Sequence, residues 1–292
     1  MRASLKFTAG AWVAASVLQA TGSPAAAADC AGYALTIAQT GGDAYDATAP
    51  GPTIVSLRLI SATGPLPAAC ADAPVRIVAA GSQPFPMRLA DGTRTLAVDY
   101  SADAVASRSG QEVVLSATAR ARLAAGQDAV VRFADIRPGQ YERAGLYTSQ
   151  IEVRAGDQVA PFTVQTRAVP VMRFEKDFAD GVETVELGEL SEGARRQVTM
   201  MYRSSADLDV TVRSDNRGAL VHEGGEEIGR IPYQAELDGT PLVLQGGEAR
   251  LSMVYGGAQL QSRRLRFIVP AQTRLPAAGR YTDVLTVSFT PF

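Results

Sequence analysis

The second half of this chain repeats the first at a fixed spacing, and that repeat constrains the fold more than any other feature. Arg132-Phe133 recurs 134 residues later as Arg266-Phe267. At the same spacing Ala144-Gly145 falls on Ala278-Gly279, Tyr147-Thr148 on Tyr281-Thr282, Ile151 on Leu285 and Val153 on Val287. Ungapped matches held in one register indicate two tandem copies of one domain type. The boundary is expected around Pro170, giving domains of residues 29–167 and 168–292.

Within each copy the apolar residues recur with the period of strands. "TIVSLRLISA", "APVRIVAA", "TLAVDYS", "EVVLSATARARL" and "AVVRFADI" come one after another in the first half; "VETVELGEL", "RRQVTMMYRS", "LDVTVRSD", "IPYQAELDG" and "RRLRFIVPA" do so in the second. Asp91-Gly92, Asp238-Gly239, Gly246-Gly247 and similar turn pairs separate them. No stretch sustains helical spacing. The pattern predicts an all-β protein of two tandem immunoglobulin-like β-sandwiches. The imperfect alternation of Ile54, Leu57 and Leu59 predicts a bulge. Tyr147 and Tyr281 open equivalent strands after a glycine. Each either bonds back to the preceding loop as a tyrosine corner or packs at a strand end.

The copies differ beyond their last matched strand. In the first, "GLYTSQIEVRAG" turns at Gly156-Asp157 into one more alternating segment, "QVAPFTVQT". In the second, "GRYTDVLTVSFTPF" has no counterpart to that segment after it. The C-terminal sandwich is therefore expected to be incomplete, lacking its last strand. Leu285, Val287 and Phe289 would line the resulting groove. A missing strand leaves an unpaired ladder of N–H and C=O groups. It also forgoes three to five inward side chains, each contributing about 1.5–3 kcal/mol when buried. The alternative is a sandwich complete with fewer strands, or one that uses residues 171–178 as its own edge.

The opening residues read as an export signal spanning residues 1–28. Arg2 and Lys6 precede an apolar run too short to span a membrane, and Ala26-Ala27-Ala28 offers a cleavage site. Cys30 and Cys70 are the only cysteines. In an exported chain such a pair is expected to form a disulfide, two free thiols being the alternative. The formal net charge is −2, and the arginines are scattered among acids, so no nucleic-acid partner is expected. The single His222 lies near Glu223, Glu226 and Glu227, which invites a metal reading; Gly224-Gly225 beside it argues for a loop instead. No nucleophile-elbow, zincin or phosphate-loop pattern occurs, so no enzyme activity, metal or cofactor is expected. Residues 81–92, with Phe85 and Met87, and residues 44–52 are loops that could present a contact surface or fill the core.

The C-terminal half resembles the spore coat protein U family, which includes the pilins of archaic chaperone–usher pili. The resemblance rests on "ELGEL" at residues 186–190, "IPYQAELDG" at 231–239 and the closing "PAAGRYTDVLTVSF" at 276–289. It implies an immunoglobulin-like pilin domain without its last strand. A periplasmic chaperone would first fill the groove, an outer-membrane usher would assemble the fibre, and a donor strand from an adjacent pilin subunit would replace the chaperone. The family's donor arm precedes its first cysteine, whereas here Cys30 lies close to the expected cleavage site. A subunit that receives a strand but donates none belongs at the tip. The expectation is then a secreted pilus tip subunit or adhesin, exported through the periplasm to the cell surface as part of a fimbrium, with the first domain meeting a surface or receptor. A secreted coat or matrix protein, or a two-domain periplasmic chaperone with Arg167 and Lys176 near its linker, are the alternatives.

Overall fold

The computed structural model describes residues 34–65, 73–80, 87–89, 92–100, 103–175, 183–190 and 193–292. Cys30, Cys70, Phe85 and Lys176 lie outside the described residues, as does the side chain of Met87. The chain divides into two compact units. Ala168–Phe292 forms the body of the second unit together with Asp46–Ala49 and Gly139–Gly145; the other described residues form the first.

The first unit is a two-sheet sandwich. One sheet runs β1 (Leu35–Gln39), β3 (Thr53–Ser61), β10 (Ala129–Ile136), β7 (Val98–Asp99). The other runs β2 (Ala44–Tyr45), β12 (Gln158–Ala168), β11 (Gly145–Ala155), β4 (Val75–Ala79), β9 (Glu112–Leu115), β8 (Ala106–Ser109). Two short strands, β5 (Met87–Leu89) and β6 (Thr95–Leu96), extend it. Period-2 alternation explains the core. Val55, Leu57 and Leu59 from β3 meet Val131, Phe133 and Ile136 from β10, and Ile77, Ile151 and Val153 face them from the opposite sheet; all are buried. Ile54 points outward, so β3 alternates regularly through Val55, and the register shift lies instead on its partner, between Arg132 and Ala134.

One segment departs from the expected strands. "EVVLSATARARL" is β9 followed by a helix, α1 (Ala117–Ala124). The Ser116 hydroxyl caps it by accepting from Ala119 N at 3.3 Å. Alanine and arginine then favour helix, and Ala119 and Leu123 supply the buried side. The helix stops where Gly126 takes φ +76, with its N–H on the Leu123 carbonyl at 3.0 Å.

The second unit has a five-stranded sheet ordered β13 (Met172–Phe174), β14 (Ala194–Ser204), β21 (Gln261–Val269), β18 (Gln234–Leu237), β19 (Thr240–Leu242). A three-stranded sheet is ordered β20 (Glu248–Met253), β15 (Leu208–Ser214), β23 (Leu285–Pro291). A small sheet is ordered β17 (Arg230–Pro232), β16 (Ala219–His222), β22 (Tyr281–Thr282). The repeat is visible in the topology. β10 corresponds to β21, and β11 to β22 plus β23. β4 beside β11 corresponds to β15 beside β23. β12, which covers the other edge of β11, has no counterpart beside β23 among the described residues.

Candidate functional site: an open strand edge over an apolar groove

β23 pairs antiparallel with β15 along its length, Leu285 opposite Ser214, Val287 opposite Val212 and Phe289 opposite Val210. Its alternation turns Leu285, Val287 and Phe289 inward and leaves Thr286, Ser288 and Thr290 exposed. The three inward side chains pack against the core, yet each is only half-buried. They form one side of a groove of about 290 Å³. Val198 and Met200 of β14, with Leu265 and Phe267 of β21, contribute its floor from the facing sheet. Val185 and Leu187 supply a further side.

These last two residues belong to the segment expected as a strand, "VETVELGEL". Residues 183–190 do alternate, with Val185 and Leu187 half-buried and Thr184 and Glu186 exposed, but they join no ladder. The physical reason is a lack of partner: the segment and β23 both line the groove, and no strand lies between them among the described residues. The Arg196 guanidinium donates to the Glu186 carbonyl at 3.0 Å. A strand with one edge outside any ladder and a segment that joins none thus flank one apolar slot.

Aromatic rings close one end of the groove. Phe289 meets Phe174 edge-on at 5.3 Å and Tyr202 at 5.8 Å between centroids. Asp283 organises the other end. Its Oδ2 accepts from the Ser214 hydroxyl at 2.7 Å and the Tyr233 hydroxyl at 2.5 Å. Its Oδ1 accepts from Asn216 N at 3.0 Å and Val284 N at 2.8 Å. One carboxylate therefore ties the end of β15, the turn after it and the start of β23 together. Burial, reinforced by the bond to Asp283, pushes the Tyr233 phenol well above its ordinary pKa. Sequence reasoning assigned Asp283 no role; its one signal was an acid ahead of the closing strand in "RYTDVLTV".

The other singled-out residues have structural partners. The Tyr281 hydroxyl donates to the Ala277 carbonyl at 3.1 Å, which is the corner arrangement, while Tyr147 is fully buried in the first unit. His222 Nδ1 accepts from Gly224 N at 2.9 Å and Nε2 lies 3.1 Å from the Ala278 carbonyl, an arrangement that the neutral Nε2–H tautomer satisfies. Glu226 is ion-paired with Arg230. In residues 44–52, Tyr45 is buried with its hydroxyl on the Arg137 carbonyl at 3.0 Å, so it presents no aromatic surface.

No family model and no curated protein matches this chain. Among solved structures it is similar to the CsuC–CsuE chaperone–tip adhesion subunit pre-assembly complex from archaic chaperone–usher Csu pili of Acinetobacter baumannii, at 14% identity and TM-score 0.38, covering 80% of this chain and 89% of that one. It is similar also to a chaperone–tip adhesin complex of CFA/I fimbriae, at 10% identity and TM-score 0.29, covering 85% and 93%. A third similarity is to the C-terminal domain of the AgI/II polypeptide BspA of Streptococcus agalactiae, at 11% identity and TM-score 0.28, covering 86% and 92%.

Proposed function

We propose that the second unit receives an extended strand from another polypeptide along the open edge of β23, and that the chain is a non-catalytic, exported subunit of a chaperone–usher pilus. The observation that supports this reading is the groove itself: a strand with one edge outside any ladder, a facing segment that joins none, and an apolar floor between them. The first unit indicates the shape of the occupant. There β12 lies on the equivalent edge and turns Ala160, Phe162 and Val164 inward. A donor with that alternation would make a main-chain ladder with β23 and place its apolar side chains in the slot, the general mode of strand addition. A periplasmic chaperone and an outer-membrane usher would handle the open edge before assembly. Reception of a strand through the second unit leaves the first free to meet a surface, an arrangement that suits a fibre tip.

The test is to join a copy of β12 to Phe292 through a Gly-Asp turn. At a local concentration near a hundredfold over its Kd, an occupying strand stabilises by about 2.7 kcal/mol. That should raise the melting temperature of the second unit by roughly 10 °C. Hydrogen exchange in the unmodified protein gives the decisive control. Every second amide of β23 should exchange freely, and the joined strand should protect those amides. If they are already as protected as the amides of β11, the edge is not open and the reading fails.

A further inference from the structure

The first unit holds a second kind of cavity, at the opening between its two sheets. β7 is the last strand of one sheet and β8 the last of the other, and side chains on and beside them line one cavity. Its volume is about 360 Å³. That is near the lower end of small-ligand sites, roughly 300–1,000 Å³. Val98 and Val113 give it an apolar patch; Asp99, Tyr100, Arg108, Gln111, Glu112 and Arg137 complete the lining.

Each ion in that lining is already held in place. Arg137 grips Asp99 through two parallel bonds, Nε to Oδ2 and Nη2 to Oδ1, both 2.6 Å. Arg108 sits 5.2 Å over the centre of the Tyr100 ring, and its Nε donates to the Gly110 carbonyl at 2.7 Å. The Tyr100 ring in turn meets the core edge-on through Phe133, 5.8 Å away. Glu112 faces Arg76 at 3.4 Å. Side chains fixed this way lose little freedom when a ligand arrives.

The lining also balances. Two guanidinium groups oppose two carboxylates, so the cavity offers no net charge to an ion. A carboxylate has about four lone-pair sites and a guanidinium five N–H donors. Asp99, Glu112 and Arg108 therefore keep capacity beyond the bonds just described, and the Gln111 amide both donates and accepts. Closely spaced donors and acceptors around an aromatic ring and a valine patch suit a ligand with alternating hydroxyls and exposed C–H faces. We propose that this cavity binds a short neutral saccharide. All its lining residues belong to the first unit, so the proposal stands apart from strand reception by the second.

Saturation-transfer NMR on the full chain tests it, with maltose, lactose, cellobiose and N,N′-diacetylchitobiose as probes and galacturonate and inorganic phosphate as anionic controls. The expected result is saturation of at least one neutral disaccharide and of neither anion. Gln111→Ala alters an exposed side chain and should leave the melting profile unchanged, whereas Arg108→Ala gives up the contact with the Tyr100 ring and should lower the melting temperature by a few degrees at most. Each should weaken the bound sugar roughly tenfold, as loss of a hydrogen bond to a charged or amide group does. Absence of transfer to every neutral probe overturns the proposal. So does preference for an anion, or sugar binding that both variants leave intact.

Discussion

Ile151 and Leu285 occupy the same place in two copies of one fold, as do Val153 and Val287. In the first unit Ile151 is 0% and Val153 1% exposed; in the second, Leu285 and Val287 are half-buried. The strands that carry them are alike in alternation, and each pairs with an equivalent neighbour, β4 in one case and β15 in the other. The difference is β12, present on the free edge of β11 and matched by nothing beside β23 among the described residues. A strand's side chains are covered by the neighbours on both flanks as well as by the facing sheet. Removing one flank opens the core from the side even though the strand itself is intact.

Matched substitutions should expose that asymmetry most strongly. Val153→Asp places a charge where no water reaches, and the cost of an uncompensated buried charge is about 3–5 kcal/mol. The first unit should lose most of its stability. Val287→Asp sits beside an open groove where the carboxylate can reach water, and it should cost about 1 kcal/mol or less in the lone protein. The same Val287→Asp should abolish stabilisation by the joined β12 copy. Urea melts of both variants, with and without the added strand, read all of this. Equal losses from the two substitutions would break the comparison, because they would mean that the β23 edge is covered.

Asp283→Asn should come next in size. The amide keeps one acceptor but loses the charge that holds the Ser214 and Tyr233 hydroxyls and two backbone N–H groups. Loss of charge-assisted bonds at a half-buried site costs about 1.5–3 kcal/mol. The equivalent position of the first unit is Ser149, where no such carboxylate exists. Ser149→Ala should therefore cost far less, and a comparable loss there would show that the strand start is fragile in both copies for some other reason.

Much of this was legible in the sequence because strand alternation and a tandem repeat are local patterns. β14, β15, β21 and β23 fall where the period-2 runs lie, and aligning the copies raises the expectation that β12 has no counterpart, as is seen beside β23 among the described residues. What escaped was set by partners distant in the chain. Residues 183–190 alternate like a strand, but a ladder needs a neighbour, and alternation alone carries no information about one. "EVVLSATARARL" hid a helix because Ala119, Ala121 and Leu123 alternate with Arg120 and Arg122 as strand residues would, and a single capping serine, Ser116, marks the change. Asp283 gathers Ser214, Asn216 and Tyr233, which are 50 to 69 residues away. The cavity between β7 and β8 likewise joins Asp99 to Arg137 across 38 residues. No spacing rule links residues so far apart.

Alkaline titration sharpens the contrast between the units by a smaller margin. Tyr100 in the first unit and Tyr233 in the second both have phenols raised by burial, with Arg108 partly opposing the shift at Tyr100 and Asp283 adding to it at Tyr233. A phenol raised on folding contributes stability that is fully present below the unfolded value of about 10 and is lost as pH rises through the folded one. Both units should weaken between about pH 9 and 11. Tyr233→Phe should remove the tyrosine part of that slope from the second unit alone. If urea melts at the two pH values show the slope of the second unit unchanged, Tyr233 is not held protonated by its surroundings.

The smallest expected effect concerns the loop that leads into the open strand. Tyr281 donates to the Ala277 carbonyl and His222 Nε2 lies against the neighbouring Ala278 carbonyl, so two side chains pin one loop. Tyr281→Phe removes a single hydroxyl bond while keeping the edge-on ring contact with His222 at 5.0 Å. The expected cost is about 0.5–1.5 kcal/mol, read as a shift in the urea midpoint with an unchanged slope. A much larger loss would assign the weakness of the second unit to its entry loop. A loss within that range leaves the uncovered flank of β23 as the feature that separates the two copies.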